Sequence, residues 1–117
     1  MDRMRTSVDG LDEAHIAYDW SNVRFIPVIA ADRVNFEIGE TKIVRIKPIS
    51  VPAYSLVIQS FYGSNGMGDL ACIGCMEMKL YGENREANMA MFHSRVKASV
   101  LSGDLLGQVA IVQGKKL

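Results

Sequence analysis

The sequence predicts a single, mainly β domain: a small barrel or sandwich of about six to seven strands with one short helix. The 117 residues are enough for one hydrophobic core, and a composition of 49% apolar and 22% charged residues is typical of a globular chain. From residue 23 onward, short apolar runs alternate with turn residues, which is a pattern of strands. The predicted strands are residues 23–30, 34–38, 41–49, 55–62, 70–81 and 105–113.

The first 22 residues differ from the rest of the chain. They are polar, with an acidic balance, and show only a faint helical period through Leu11, Ala14, His15 and Tyr18. We therefore expect residues 1–22 to form an N-terminal arm or short helix, followed by a single β-rich domain over residues 23–117.

Glycine and proline residues define the first turns. Gly39 can adopt the positive φ of a tight turn, so residues 34–38 and 41–47 are predicted to form a hairpin. Pro48 and Pro52 lack a backbone donor, which favours an edge strand or a crossover at residues 48–53. Residues 55–62 are apolar on both alternating faces, as expected for a strand covered on both sides.

The one predicted helix covers residues 83–91. Ala87, Ala90 and Met91 recur at helical spacing among strong helix formers. Residues 94–100 fit either a continuation of this helix or a separate strand, and the alternation of Val96 and Val100 with polar residues favours the strand. A turn at residues 102–104 precedes the last strand.

Cys72 and Cys75 are the only cysteines, and they are three residues apart. Such a pair can be half of a metal site, a redox couple, or two small residues of a core. In a regular strand over residues 70–81, Cys72 would face the core and Cys75 the opposite side, so the sulfurs would meet only if the chain turned at Gly74.

Metal binding would require further ligands. A structural zinc site takes four, and the chain offers His15 and His93 far away in sequence. A zinc or iron–sulfur site would therefore use Cys72, Cys75 and His93, or a second pair from another chain. The redox alternative is weaker because the pair lies in strand-like sequence and not at a helix N-terminus.

A glycine-rich segment at residues 63–69 is a candidate ligand-binding loop. Its candidate residues are Asn65, Gly66, Gly68 and Asp69. It does not match a phosphate-binding loop, because strand-like sequence follows it and no Lys-Ser or Lys-Thr pair is present. His93 lies beside Ser94 without any nucleophile-and-base pattern, so no catalytic residue is predicted.

The net charge and the hydropathy of the chain limit the classes of partner that we expect. Thirteen basic residues balance thirteen acidic ones, so no nucleic-acid partner is expected. No run reaches the roughly 18 apolar residues of a membrane span, and the N-terminus lacks a signal-peptide core. We expect no membrane partner, a cytoplasmic location and reduced thiols. The arm and seven methionines offer contact surface, which favours a homo-oligomer.

Four segments resemble an archaeal domain family of unknown function, the one numbered twenty-two. They are residues 24–30, 36–40, 44–53 and 103–107, which include Pro27, Gly39, Pro48 and Gly103. The likeness covers about residues 23–113. It implies a small β-rich archaeal domain without an assigned activity, and the cysteine pair does not map onto it.

These observations favour an uncharacterised non-catalytic binding or assembly module that self-associates. The alternative is a zinc- or iron–sulfur-binding protein that uses Cys72 and Cys75, with the site either within one chain or at a subunit interface. An enzyme of unrecognised type is the third hypothesis.

Overall fold

The computed structural model describes residues 13–59, 66–77 and 79–117, and this part of the chain is built from strands. The strands are β1 (Ile16–Ile29), β2 (Val34–Phe36), β3 (Thr41–Val51), β4 (Leu56–Gln59), β5 (Gly68–Gly74), β6 (Arg85–Ser94), β7 (Ala98–Val100) and β8 (Leu105–Lys116). The predicted mainly β class is confirmed. Within the described residues, no helix is long and apolar enough to cross a membrane.

The eight described strands form three antiparallel sheets and no closed barrel. One sheet has the order β1-β8-β4, a second has the order β3-β6-β5, and β2 pairs with β7. An isolated bridge between Ala30 and Ile46 connects the end of β1 with β3.

Side chains from all three sheets share one core. Val28, Val109 and Ile111 come from the β1-β8-β4 sheet, and Val44 and Phe92 come from the β3-β6-β5 sheet. The β2-β7 pair adds Phe36 and Val100. The Phe36 and Phe92 rings meet edge to face, with centroids 5.8 Å apart, a favourable geometry for aromatic pairs.

The predicted helix over residues 83–91 is wrong, because this segment belongs to β6, the central strand of its sheet. Ala87 and Ala90 are both buried, and this spacing of three looked helical. From Ala90 onward burial alternates through Phe92 and Ser94, as in a strand. The departure from strict alternation between Ala87 and Ala90 lies opposite residues 46–48, where the β3-β6 register shifts. Tertiary pairing thus overrides helix propensity.

The predicted hairpin of residues 34–38 and 41–47 is also wrong in its pairing. β2 pairs with β7, and β3 pairs with β6. The turn itself is present, because Gly39 has a φ of 79° and the Glu40 amide donates to the Glu37 carbonyl. Residues 98–100 form β7, so the strand alternative for this part of residues 94–100 is confirmed.

β3 is an edge strand and contains Pro48, in agreement with the predicted edge character. The pairing with β6 is interrupted between Arg45 and Ile49, where Pro48 has no amide to donate. The proline therefore lies where the ladder does not need a donor.

β1 begins at Ile16 and pairs with β8 on both sides of residue 22. The described part of the predicted arm is therefore strand from Ile16, with a register irregularity between Tyr18 and Val23. Residues 1–12 lie outside the described part of the chain. The division into an arm and a domain stays a prediction.

Candidate binding site

A β-bulge at Ala71 sets the direction of the two cysteine side chains. Leu70 lies opposite Phe92 and Cys72 lies opposite Met91, so Ala71 has no partner of its own in β6. An extra residue reverses the alternation of the strand after it. Leu70 is buried before the bulge, and Ile73 packs against the core after it.

The prediction that Cys72 faces the core and Cys75 the opposite side is therefore wrong. Cys72 is exposed, and Cys75 is half-buried, with its Sγ donating to the Glu77 carbonyl at 3.3 Å. The irregularity is at Ala71 and not at Gly74, which has an ordinary φ and open space around it. β5 also ends at Gly74, so the predicted strand over residues 70–81 is too long.

The structure does not bring the predicted metal ligands together. His93 Nδ1 is 2.9 Å from Thr41 Oγ1, and His93 lies opposite Asp69, whereas Cys72 lies opposite Met91. His15 is exposed just before β1. In residues 13–59, 66–77 and 79–117, no three His, Cys, Asp or Glu side chains form a group that could hold a metal ion.

The candidate ligand loop is described only in part. Asn65 lies outside the described residues, Gly66 is exposed, and Asp69 forms an ion pair with Arg95 at 3.7 Å. Gly68 is the first residue of β5, where an added Cβ would lie 2.0 Å from the His93 carbonyl oxygen. This glycine therefore has a packing role, because only the absence of a side chain permits this approach to β6.

A cavity of about 410 Å³ lies where β4, β5 and β6 meet, and we name it the Arg85 cavity. Its apolar walls are Val51, Val57, Ile73 and Ala87. Its polar lining is Cys75, Glu77, Lys79, Arg85 and Glu86. Its volume is within the usual range of small-molecule sites.

Arg85 is the first residue of β6, and its side chain lines this cavity and contacts the residue before β4. Its Nη2 donates to the Ser55 carbonyl at 2.9 Å, and its guanidinium carbon lies 5.0 Å from the centre of the Tyr81 ring. Among the described residues, it forms no ion pair with a carboxylate. Arg85 thus brings an uncompensated positive charge to the cavity.

Three buried side-chain atoms in the described chain lack a hydrogen-bond partner, and one of them belongs to a residue that lines this cavity. They are Arg85 Nε, Ser55 Oγ and Gln59 Nε2. Arg85 lines the cavity, whereas Ser55, just before β4, and Gln59, its last residue, do not. Because buried polar groups in proteins are nearly always paired, the unpaired Nε–H of Arg85 marks the cavity as a candidate binding site.

Tyrosine rings pack beside Arg85. The Tyr18 and Tyr81 hydroxyls are hydrogen-bonded, and the Tyr54 and Tyr81 rings meet edge to face with centroids 6.3 Å apart. Burial, followed by the bond and charge interaction with Tyr18, raises the pKa of Tyr81 from 10.0 to about 12, against an opposing effect of Arg85. Tyr81 is therefore a neutral hydroxyl at physiological pH.

Sequence reasoning did not find the Arg85 cavity. Arg85 was assigned to a helix, and no motif marks Ser55 or Gln59. The available signal was Tyr81, four residues before Arg85, but the approach of Tyr54 and Tyr18 to Tyr81 depends on contacts between segments distant in sequence.

A second feature is an uncharged surface on the β1-β8-β4 sheet. Phe25 and Ile58 flank Ala110, and Val23 and Leu56 flank Val112. Their strand neighbours Ile26 and Val57 pack on the core, so these six side chains point the other way. We name this surface the uncharged face: Val23, Phe25, Leu56 and Ile58, which flank the buried Ala110 and Val112 of β8. Phe25 is 65% exposed and Ile58 is 38% exposed.

The prediction of a strand covered on both sides at residues 55–62 is therefore wrong for the described part, since Ile58 of β4 is exposed.

The fold and the cavity define a small, strand-built protein whose candidate site is a mixed apolar and polar cavity. The chain belongs to the family described as domain of unknown function DUF22, whose model matches residues 5–96. The resemblance identified from the sequence is confirmed, although the match begins earlier than residue 23 and ends before β7.

A curated relative agrees with this assignment. An uncharacterised protein of the archaeon Methanocaldococcus jannaschii is 28% identical over 97% of this chain and 90% of its own length. No solved structure matches the chain.

Proposed function

We propose that the protein is a non-catalytic binding module whose site is the Arg85 cavity. The observation that carries the proposal is the unpaired Nε–H of Arg85, a buried donor on a residue that lines a cavity with apolar walls. Leaving such a group unpaired costs about 1–3 kcal/mol, and a ligand that pairs with it offsets this cost.

The lining of the cavity has the composition of a binding site. Apolar side chains form its walls, and a small number of polar groups lie at its edge, which is the usual arrangement for holding and orienting a small molecule. Thr41 and His93, which contact each other, do not line it. The arrangement therefore supports a binding function for the cavity.

The cysteines supply a direct test, because Cys75 lines the Arg85 cavity and Cys72 does not. In a Cys72→Ser variant, Cys75 is the single thiol, and in a Cys75→Ser variant, Cys72 is. We expect saturating 1-octanol, a neutral apolar probe, to slow the reaction of Cys75 with dithiobis(nitrobenzoate) several-fold and to leave Cys72 unaffected.

Two results would count against the cavity as the site. Both cysteines also line a smaller groove of about 130 Å³ with Ile43, Met89 and Met91. Equal protection of Cys72 and Cys75 would place the probe in that groove. Protection of neither thiol would show that octanol does not occupy the Arg85 cavity.

Self-association is a second proposed function, and the uncharged face supports it. A second copy of the chain is the proposed occupant, because a surface without charge can dock against itself without repulsion, and the net charge of the chain is zero. The exposed Phe25 ring would be the anchor of such an interface.

We also propose a cytoplasmic location, a reducing compartment in which the free cysteines Cys72 and Cys75 would remain thiols.

Sedimentation velocity tests the proposed self-association. We expect wild type to form a homo-oligomer at tens of micromolar, and Phe25→Glu to be monomeric, since a buried unpaired carboxylate is strongly unfavourable. Ile38→Glu, at an exposed apolar position between β2 and β3, makes the same change of charge and should leave the oligomer intact. A monomeric wild type would contradict self-association.

A further inference from the structure

We propose that the Arg85 cavity selects an apolar ligand that ends in a carboxylate. The inference rests on the proposed binding function and names the chemical class of its ligand. It follows from the identity of the unpaired group at the cavity, the Nε–H donor of Arg85, and from the positive charge of this side chain.

The guanidinium of Arg85 is the principal determinant. Its Nη2 is occupied by the Ser55 carbonyl, whereas its Nε–H is buried and unpaired. A partly buried guanidinium without a carboxylate partner is unfavourable, and hydrogen bonds between ions are about twice as strong as neutral ones. An anionic acceptor would satisfy both the donor and the charge.

The chemistry of the terminal group distinguishes a carboxylate from an alcohol at this site. A carboxylate only accepts and has about four lone-pair positions, so it matches the guanidinium, which only donates, better than an alcohol, which has its own proton to place.

The remaining charges of the cavity lining do not cancel the attraction of the Arg85 guanidinium for an anion. Glu77 is 3.4 Å from the Lys79 ammonium, so this pair is internally compensated. Glu86 is exposed, where water screens its charge. The apolar walls Val57, Ile73 and Ala87 then favour a hydrocarbon body for the remainder of the ligand.

A matched pair of probes separates this inference from the proposed function. Octanoate and 1-octanol have the same chain length and differ in the terminal group. Isothermal titration calorimetry at neutral pH should give octanoate an affinity at least about tenfold higher, which is the effect of one charged hydrogen bond. Equal affinities, or a preference for octanol, would overturn the carboxylate inference and leave the cavity as an apolar binding site. Binding of neither probe would overturn both.

Substitutions of single residues test which side chain causes the preference for octanoate over octanol. Arg85→Met retains the hydrocarbon stem, and we expect it to bring the ratio of octanoate to octanol affinities close to one. Arg24→Met, at an exposed arginine of β1 outside the cavity lining, is the control and should keep the wild-type ratio. Because Arg85 also holds Ser55, Arg85→Lys is the second variant: it keeps a positive charge at the cavity but has no Nε–H, and we expect a ratio between those of wild type and Arg85→Met. A wild-type ratio in Arg85→Met would overturn the proposal.

Discussion

Arg85 donates a hydrogen bond to the carbonyl of Ser55 at 2.9 Å, and this contact joins the start of β6 to the residue before β4. β4 belongs to the β1-β8-β4 sheet and β6 to the β3-β6-β5 sheet, so one side chain connects the two larger sheets. The Arg85 cavity lies beside this connection. The unpaired Nε–H of Arg85 that marks it is thus located where the sheets meet.

The first prediction compares the two buried serines. Ser55 and Ser94 are both fully buried, but Ser94 Oγ donates to the Val96 carbonyl at 2.7 Å and Ser55 Oγ has no partner. We expect Ser55→Ala to leave the free energy of unfolding unchanged or to raise it by about 1 kcal/mol, and Ser94→Ala to lower it by about 1 kcal/mol. Urea denaturation of ligand-free protein measures both. An equal loss in the two variants would mean that the Ser55 hydroxyl is satisfied.

The second prediction concerns high pH. Because the pKa of Tyr81 is raised from 10.0 to about 12, the neutral phenol stabilises the folded state; this contribution is complete below pH 10 and is lost as the pH rises through about 12. Tyr81→Phe has no phenol to ionise, so its stability should fall less over this interval than that of wild type. Urea midpoints measured below pH 10 and near pH 12 test this, and parallel pH dependences for the two proteins would contradict it.

The third prediction separates two glycines of the candidate ligand loop. Gly68→Ala would place its Cβ 2.0 Å from the His93 carbonyl oxygen, whereas no atom lies within 4 Å of a Cβ added at Gly66. We expect Gly68→Ala to lose about 2 kcal/mol or more of stability, and Gly66→Ala to change it little. Chemical denaturation measures both. If Gly68→Ala were as stable as Gly66→Ala, the close approach of β5 to β6 would be wrong.

The fourth prediction addresses the cysteine pair. Cys72 is exposed, and Cys75 makes only one hydrogen bond, to a backbone carbonyl that a serine hydroxyl can also reach. The Cys72→Ser, Cys75→Ser double variant should therefore keep the melting temperature of wild type within about 4 °C, the shift produced by 1 kcal/mol. A much larger loss, together with zinc or iron in elemental analysis of the freshly purified wild type, would restore the metal hypothesis.

Local sequence chemistry predicted the class of the fold and several turns. Gly39 and Gly103 both have positive φ, and the turn at Gly103 is closed by Asp104, whose side chain accepts from the Leu101 amide. These features depend on residues adjacent in sequence, so composition and turn preferences were sufficient.

Pairing between distant strands was not predictable from local pattern. The bulge at Ala71 belongs to the register in which β5 pairs with β6. That register cannot be deduced from the sequence of residues 70–75 alone. The same limitation made Ala87 and Ala90 look helical. It also hid the candidate site, since Ser55 and Arg85 are 30 residues apart and meet only when the sheets assemble.

The most direct test of the central claim is a titration of isotope-labelled protein with octanoate, followed by backbone amide chemical shifts. The account predicts that the largest changes occur at Val57, Ile73 and Ala87, on the three strands around the Arg85 cavity. The largest changes at Phe25 and Ile58 of the uncharged face, or no saturable change at all, would contradict it.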